Sequence, residues 1–577
     1  MHGETTPLIH HERRLSHVSE IDENEVVSYV RQKRESIVSA KDDMPRPVIV
    51  SHHEVASPTG LAPRGSREDF SSLSPQVSRS TSHSQTVGEI LLHHSQDIGP
   101  EPKTSLWRET KILLKCSVPI VITFLLQYSL TFASVLSVGR LGSTELAAVS
   151  LSSMTANISG YAIIQGVSTC LDTLCAQAFG KKELNQVGVA FLRCNYLLLL
   201  CCIPTVMIWI NSRTILGLLV PEQPELCELA SQYLQVLSIG LPGFLLFENA
   251  KHFLQCQGIF HASTCVLVIC APVNAILNYT LVWNKSIGVG FIGAPISVVI
   301  TNWLMCGLLY GYIFFIDGYQ CWPKQNLLDK VFFRNWDRMI KLSIPGVLMV
   351  EAEWLAFEII TFEAAKFGTT TLAAQSIVST TLVVLYQIPF GMSVVCSTRI
   401  AWYIGAASRF AAQLATKASV YTSIVFGFIN CAILLTFRHS LAKLYTKEQE
   451  VIDVAAKVLV VGAAYQISDF VSCSTGGVLR GQGRQYIGGI LNLIGYYLIA
   501  LPFAYYFAFV CKLELIGLWF GMIIALLVVS FSQLYFTVTS DWGKIIDECV
   551  SEGVADEGNL TIDAHSLLPS MSSTIVV

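Results

Sequence analysis

An all-helical integral membrane protein of two similar six-helix lobes is the fold that three features of this 577-residue chain predict. Hydrophobic residues make up 52% of it and charged ones only 14%, with a mean hydropathy of +0.52, which excludes an ordinary soluble globule. Apolar runs of about 20 residues, the length that crosses a bilayer, recur along it. The third feature is an internal repeat. Ser117-Val118-Pro119-Ile120-Val121 returns as Ser343-Ile344-Pro345-Gly346-Val347. Leu141-Gly142-Ser143-Thr144-Glu145-Leu146-Ala147-Ala148 returns as Phe367-Gly368-Thr369-Thr370-Thr371-Leu372-Ala373-Ala374, and Leu254-Gln255-Cys256-Gln257-Gly258 as Leu479-Arg480-Gly481-Gln482-Gly483. Three echoes in order, at offsets of 226, 226 and 225, imply a duplicated helical bundle. Paired bundles of this kind build secondary transporters, with sites near the membrane midplane.

The apolar runs place spans at 112–138, 146–170, 187–210, 226–247, 262–283 and 291–316, then at 340–365, 371–396, 412–437, 451–473, 486–510 and 515–538. That is twelve transmembrane helices, six per copy, and an even number keeps both copies in one orientation. The division that follows is a tail at 1–105, an N-lobe at 106–316, a linker at 317–339, a C-lobe at 340–538 and a C-terminal tail at 539–577. Lys324, Lys330, Arg334, Arg338 and Lys341 fall in and just after the linker, while Lys181, Lys182, Arg480 and Arg484 fall on the same side. Arg438, Lys443 and Lys447 lie opposite, so the bias is moderate, but it favours both termini in the cytosol.

The first 105 residues are rich in Ser, His, Pro and charge, lack an apolar period, and are expected to be disordered. With no apolar h-region near Met1, no cleaved signal peptide is expected. The tail also holds nine of the 13 histidines, leaving His252, His261, His439 and His565 near loops or in the C-terminal tail. Proton chemistry in the membrane is therefore expected to rest on carboxylates. The 17 cysteines form no CxxC pair and no Cys/His ligand spacing, and most sit in apolar runs as small buried hydrophobes. No cofactor or metal is expected.

A charged residue at the bilayer centre costs roughly 2.5–3.5 kcal/mol on insertion scales, so it usually faces a cavity or a partner. Span 7 carries Glu351, Glu353, Glu358 and Glu363 where span 1 has Leu125, Gln127, Phe132 and Ser137. Glu363 with Lys366, and Asp453 with Lys457, read as structural pairs at helix ends. Glu351, Glu353, Glu358 and Asp469 remain as proton or substrate sites. At 100° per residue Glu351 and Glu358 share a stripe, while Glu353 stands about 140° from Glu358. A straight helix cannot aim all three into one cavity; either one glutamate faces another neighbour or the helix bends at Pro345-Gly346. Burial disfavours the charged form of a carboxyl group, which suits a proton carrier near neutral pH. The competing reading is a protonated glutamate donating one interhelical hydrogen bond. Straight helices would hold Glu353 and Asp469 about 10–15 Å apart along the axis, as two stations of one acidic cavity.

Other polar residues are cavity or gate candidates. Asp172 closes span 2 near the cytosolic interface, as a gate or an interfacial carboxylate, with Gln177 in the same run. Asn274 and Asn278 share one face of span 5, where interhelical bonding is the alternative to lining a cavity. Gln127, Gln375, Tyr386 and Gln387 are weaker candidates of the same sort.

The run Cys170-Leu171-Asp172-Thr173-Leu174-Cys175-Ala176-Gln177-Ala178-Phe179-Gly180 resembles the helix-2 signature of the multidrug and toxic compound extrusion (MATE) family. Pro345, followed by Met349-Val350-Glu351-Ala352-Glu353-Trp354-Leu355-Ala356-Phe357-Glu358, resembles helix 7 of its eukaryotic branch. Asp469 with Gly476-Gly477-Val478-Leu479-Arg480-Gly481-Gln482-Gly483 resembles its helix 10, and Ile494-Gly495-Tyr496-Tyr497 with Leu501-Pro502 its helix 11. The similarity covers about 107–540 and looks closest to fungal members. It implies the MATE fold, two six-helix lobes in a V around a central cavity, and cation-coupled antiport, with protons the usual coupling ion in eukaryotes. Glu353, Glu358 and Asp469 match the family's C-lobe acidic residues, which are implied to bind protons or cationic substrate. Glu351 is a departure, standing where many members have an apolar residue or Cys. Ser379-Thr380-Thr381 lacks the acidic residue that animal members tend to carry in helix 8. Gln127 stands where some prokaryotic members carry an aspartate, so no N-lobe proton site is expected.

The function expected is secondary antiport, exporting or sequestering small organic solutes, cationic or amphipathic, in exchange for protons. The alternative is a lipid-linked sugar flippase of the same superfamily, although such proteins often have a cationic cavity and this one should be acidic. An integral-membrane enzyme would usually cluster His or Asp at a membrane face, and a transporter-like sensor would bind without flux. The partners expected are a small-molecule substrate and membrane lipid, with no nucleic acid, in a monomer. Glu4-Thr5-Thr6-Pro7-Leu8-Ile9 and Asp563-Ala564-His565-Ser566-Leu567-Leu568 fit the acidic dileucine form read by sorting adaptors. They favour the vacuolar membrane over the plasma membrane. Arg13-Arg14-Leu15-Ser16 fits a basophilic kinase site beside the first of them.

Overall fold

The structure is a computed structural model that describes residues 104–219, 223–284, 286, 288–327 and 329–551. The motifs at 4–9, 13–16 and 563–568 lie outside these residues. Everything described belongs to one compact unit.

Helix α1 is Leu106–Val138, started by Ser105, whose hydroxyl accepts the Arg108 N–H at 3.2 Å. Helix α2 spans 143–180 in pieces: Ser143–Ala156, a π-turn at Asn157–Tyr161, Ala162–Ser168 and Cys170–Gly180. Helix α3 is Leu184–Ile210, and α4 is a bent pair, Pro224–Ser238 and Leu241–Gln255, with its halves at 54°. Helices α5, Ala262–Trp283, and α6, Gly293–Phe315, complete the first half. The linker forms short 3₁₀ turns at Tyr319–Cys321 and Lys330–Phe333, tied to α3 by Arg193, which donates to the Val331 carbonyl at 3.0 and 3.1 Å. The second half comprises α7, Asp337–Ala364; α8, Thr369–Gly405; α9, Arg409–Tyr445; α10, Gln449–Gly481; α11, Gln485–Val510 with two π-turns; and α12, Glu514–Val538. A helical segment from Trp542 to Ser551 follows.

Among the described residues, nine helices are long and apolar enough to cross a membrane, and the bent α4 pair makes ten. The remaining two predicted spans coincide with α2, which is interrupted, and α7, whose apolar stretch holds three glutamates. Several helices outrun their apolar cores. Helix α4 continues to Gln255 where hydropathy predicts an end at 247, and α8, α9 and α10 each extend eight or nine residues beyond the expected boundary. The extensions of α4, α8 and α10 carry polar residues that are buried against protein, a burial that a hydropathy window reads as exposure, whereas the end of α9 is largely exposed.

Apolar side chains gather in three clusters. One fills the first half around Phe191, Phe253 and Trp209, and one the second around Tyr465, Tyr496 and Trp519. The third lies between the lobes, where Leu113, Ile120 and Phe124 of α1 meet Met392, Val395, Ile400 and Tyr403 of α8. Trp542, Ile545, Ile546 and Cys549 of the last helical segment join it. At a second crossing α2 meets α7 so closely that a Cβ on Gly166 would strike the Val347 backbone, and one on Gly346 would strike Thr169 and the Gly166 carbonyl.

Candidate functional site

Helix α7 turns Ala352, Ala356, Ile360 and Ala364 into the core of its lobe. Glu353 flanks that stripe on one side, and Glu351 and Glu358 on the other. The hydroxyls of Tyr386 on α8 and Tyr496 on α11 are near enough to the Glu353 carboxylate to act on it electrostatically. Asp469 of α10, only 1% exposed, is near enough for its charge and that of Glu353 to act on each other. Its Oδ1 accepts from Cys473 Sγ at 3.9 Å, and Cys473 is in turn within reach of Tyr386. Its Oδ2 has no hydrogen-bond partner among the described residues. Tyr465 completes the chamber, edge-on to Phe357 and Trp519 at 6.0 and 5.8 Å, and its buried hydroxyl has no hydrogen-bond partner among the described residues. The two carboxylates therefore share one chamber with Tyr386 and Cys473, near enough for their charges to act on each other.

The other α7 carboxylates have different neighbours. Glu351 and Glu358 are half-buried, as Glu353 is, and Glu351 lies near Tyr497 of α11. Helix α7 runs unbroken from Asp337 to Ala364 with Pro345 inside it. Glu363 pairs with Lys366 at 2.7 Å. Asp453 instead accepts from Gln449 at 2.9 Å, because both lie in the first turns of α10, one helical turn apart.

Most amide candidates hold helices together rather than line a cavity. Asn274 is fully buried and donates to Thr301 on α6 at 3.0 Å, and Asn278 donates back to Asn274 at 3.1 Å. Gln375 ties three helices, donating to Thr361 at 3.2 Å and Ser379 at 2.8 Å while accepting from Trp519 at 2.9 Å. Gln387 bonds only its own helix, at the Val383 carbonyl, among the hydrogen bonds found.

Gln177 spans the seam between the lobes. It donates to the Gly481 carbonyl at 3.3 Å and accepts from Arg338 at 2.9 Å and Cys549 at 3.4 Å. Around it Thr173 donates to the Arg480 carbonyl at 2.5 Å, and Gln485 to the Thr169 carbonyl at 3.3 Å. Further along, Arg399 of α8 makes two bonds, 2.8 and 2.9 Å, to Glu109 of α1 with both side chains buried, and the Tyr403 hydroxyl donates to Glu109 at 2.7 Å.

Asp172 is buried inside the protein. It is 2% exposed and bonded to His252 Nδ1 of α4 at 2.6 Å. His252, expected near a loop, lies in the buried second half of α4 with Glu248, Asn249 and Lys251. Gln127 donates to Glu248 Oε1 at 2.5 Å, and Lys251 Nζ stands 2.5 Å from Glu248 Oε2. The N-lobe thus holds ionisable groups that sequence reasoning missed. Their i,i+3 spacing, Glu248 to Lys251, was the signal available. Tyr465 and Cys473 were equally missed, although each lies one helical turn from Asp469.

A polytopic helical protein with two lobes, a bonded seam between them and buried carboxylates in a chamber of one lobe has the architecture of a membrane transporter. The MatE family model matches twice, over residues 119–280 and 345–506, one match per lobe, and the chain belongs to this family. It is 40% identical over 509 residues, 88% of this chain and 70% of the other, to an uncharacterized transporter of Saccharomyces cerevisiae. It is 30% identical over 465 residues, 80% of each chain, to human multidrug and toxin extrusion protein 1. The crystal structure of the eukaryotic MATE transporter AtDTX14 superposes with a TM-score of 0.73 at 25% identity, covering 78% of this chain and 99% of that one.

Proposed function

We propose that the protein is a proton-coupled antiporter that exports or sequesters small organic solutes, cationic or amphipathic, and that Glu353 and Asp469 form its coupling site. The observation that carries this reading is the chamber itself. Two carboxylates act on each other there, with tyrosine hydroxyls and a thiol around them, and one carboxylate oxygen of Asp469 has no hydrogen-bond partner among the described residues. Such a chamber stabilises positive charge, either as protons on the carboxylates or as a cationic solute beside them. Antiport needs the two to compete for the same groups, so that differential affinity drives the switch between states. Glu351 and Glu358 add negative charge to the approach. The names of the animal relatives, multidrug and toxin extrusion proteins, support the solute class.

In proteoliposomes, Glu353→Gln keeps size and hydrogen bonding but removes titration. It should abolish pH-gradient-driven flux of an organic cation while the purified protein remains folded, and Asp469→Asn should do likewise or shift the pH optimum. Normal pH-dependent exchange by a well-expressed Glu353→Gln protein would refute the assignment. The membrane favoured is the vacuole, on the two dileucine motifs, where an acidic lumen would drive sequestration. Unchanged vacuolar location of a Leu8/Ile9/Leu567/Leu568→Ala variant under fluorescence imaging would remove the basis for that placement.

A further inference from the structure

The repeat places two positions of the lobes in register. At the offset of 226 that relates α1 to α7, Gln127 stands opposite Glu353; at the offset of 225 that relates α4 to α10, Glu248 stands opposite Cys473. At these two positions each lobe therefore has one carboxylate and one neutral partner, with the carboxylate on α7 in the C-lobe and on α4 in the N-lobe. Asp469 is a second carboxylate that only the C-lobe carries, opposite Phe244. The difference lies in what faces the carboxylate. Lys251 stands opposite Gly476, so the N-lobe has an ammonium where the C-lobe has no side chain.

The N-lobe group is buried and charge-paired. Glu248 accepts from Gln127 at 2.5 Å through Oε1, and the Lys251 ammonium forms an ion pair with Oε2 at 2.5 Å, the Lys251 and Glu248 side chains being 2% and 1% exposed. The ammonium lies 4.9 Å from the centroid of Phe124, whose ring stands 5.0 Å from Phe390 of α8. The pair thus sits one layer behind the wall where the lobes meet. It is an intrahelical i,i+3 pair, so the Lys251–Glu248 contact ties no two helices together. Burying both charges costs desolvation that such a contact does not need to incur for packing.

We infer that this group is a monovalent-cation site of the N-lobe whose cation is supplied by the chain: the Lys251 ammonium holds the place on Glu248 that a free ion would take. Resting on the antiport reading above, the N-lobe then exchanges no ion, and coupling is confined to the C-lobe. The other ionisable side chains bordering this half of α4 are Asp172 of α2, bonded to His252, with Cys194 of α3 and Tyr310 of α6.

The test measures thermal stability of purified protein, which needs no transport, in a Glu353→Gln/Asp469→Asn background that silences the C-lobe site. Chloride salts of sodium, potassium and choline are compared at constant ionic strength, and pH is varied in choline. With Lys251 intact, the midpoint should not distinguish sodium or potassium from choline. Lys251→Met leaves a buried carboxylate without its counter-ion, and its midpoint should rise by on the order of a few degrees with an alkali cation, or with acid relative to the Lys251 protein. Asp172, His252, Glu351 and Glu358 are present in both proteins and cancel in that difference. Adding Glu248→Gln should abolish the response. A Lys251→Met protein as indifferent to sodium, potassium and acid as its parent overturns the proposal. Where Lys251→Met does not fold, the parent still decides, because an alkali-dependent midpoint with Lys251 in place would mean that Glu248 admits a free cation. Failure of the antiport reading would show in flux and leave these midpoints untouched.

Discussion

Tyr386 stands beside both carboxylates of the C-lobe, near enough to Glu353, Cys473 and Asp469 for their charges to act on its hydroxyl. Tyr386→Phe removes that hydroxyl and keeps the ring stacked on Phe390 at 5.6 Å. A hydrogen bond to a charged group contributes about 1.5–3 kcal/mol, so proton-driven flux should fall roughly tenfold or more with little change in folding. Initial rates in proteoliposomes across pH 6–8 would check this, and a rate equal to the parent's would take Tyr386 out of the path. Glu363→Gln should be nearly silent in the same assay, since its partner Lys366 is half-exposed at a helix end. Glu353 and Asp469 were legible in the sequence because each interrupts an apolar run. Glu248, Lys251 and His252 were not, because they follow one another at the end of a run and read as the start of a loop. Their charges are satisfied inside the lobe by one another, Gln127 and Asp172, a pairing that only the tertiary fold creates.

At the level of whole helices, the approach of α2 to α7 rests on two glycines facing one another. A side chain at Gly166 has no room, since even its first carbon would meet the Val347 backbone, and backbone cannot rotate away as a side chain end can. Gly166→Leu should therefore separate α2 from α7 and weaken the seam. The expected cost is about 1–3 kcal/mol, read as a lowered unfolding midpoint in detergent together with lost flux. Leu at Gly307 of α6, where a Cβ meets nothing within 4 Å, is the control and should leave the midpoint in place. The repeat made this crossing visible in part: Pro345-Gly346 echoes Pro119-Ile120, and a glycine replacing a β-branched residue marks a close approach. Its partner Gly166 carried no such mark. Helix ends were the least legible, because α4, α8 and α10 continue past their apolar cores into a buried polar layer and α9 continues into an exposed one.

Across the molecule, the lobes are joined by a layer of bonds around the start of α1 and the end of α8. The Glu109–Arg399 pair with Tyr403 is the strongest of them, bidentate and buried. Alternating access requires the lobes to part at each end in turn, so this pair must break and re-form in every cycle. Arg399→Met leaves Glu109 buried without its counter-ion, at a cost of roughly 3–5 kcal/mol to the closed arrangement. Spin labels placed on the two lobes at this end should report a longer distance in that variant, and Glu109→Gln/Arg399→Met should restore the parent distance. An unchanged distance in Arg399→Met would mean that the apolar cluster around Phe124 and Ile400 and the bonds around Gln177 hold the seam without this pair. The last helical segment joins the same seam, with Trp542, Ile545 and Ile546 in its apolar cluster and the Cys549 carbonyl accepting from Lys181 at 2.6 Å. A cargo fused to the C-terminus, whether a fluorescent reporter or an immobilising tag, would therefore pull on the moving joint itself. Instrumented versions of this transporter should carry their labels at the other end of the chain.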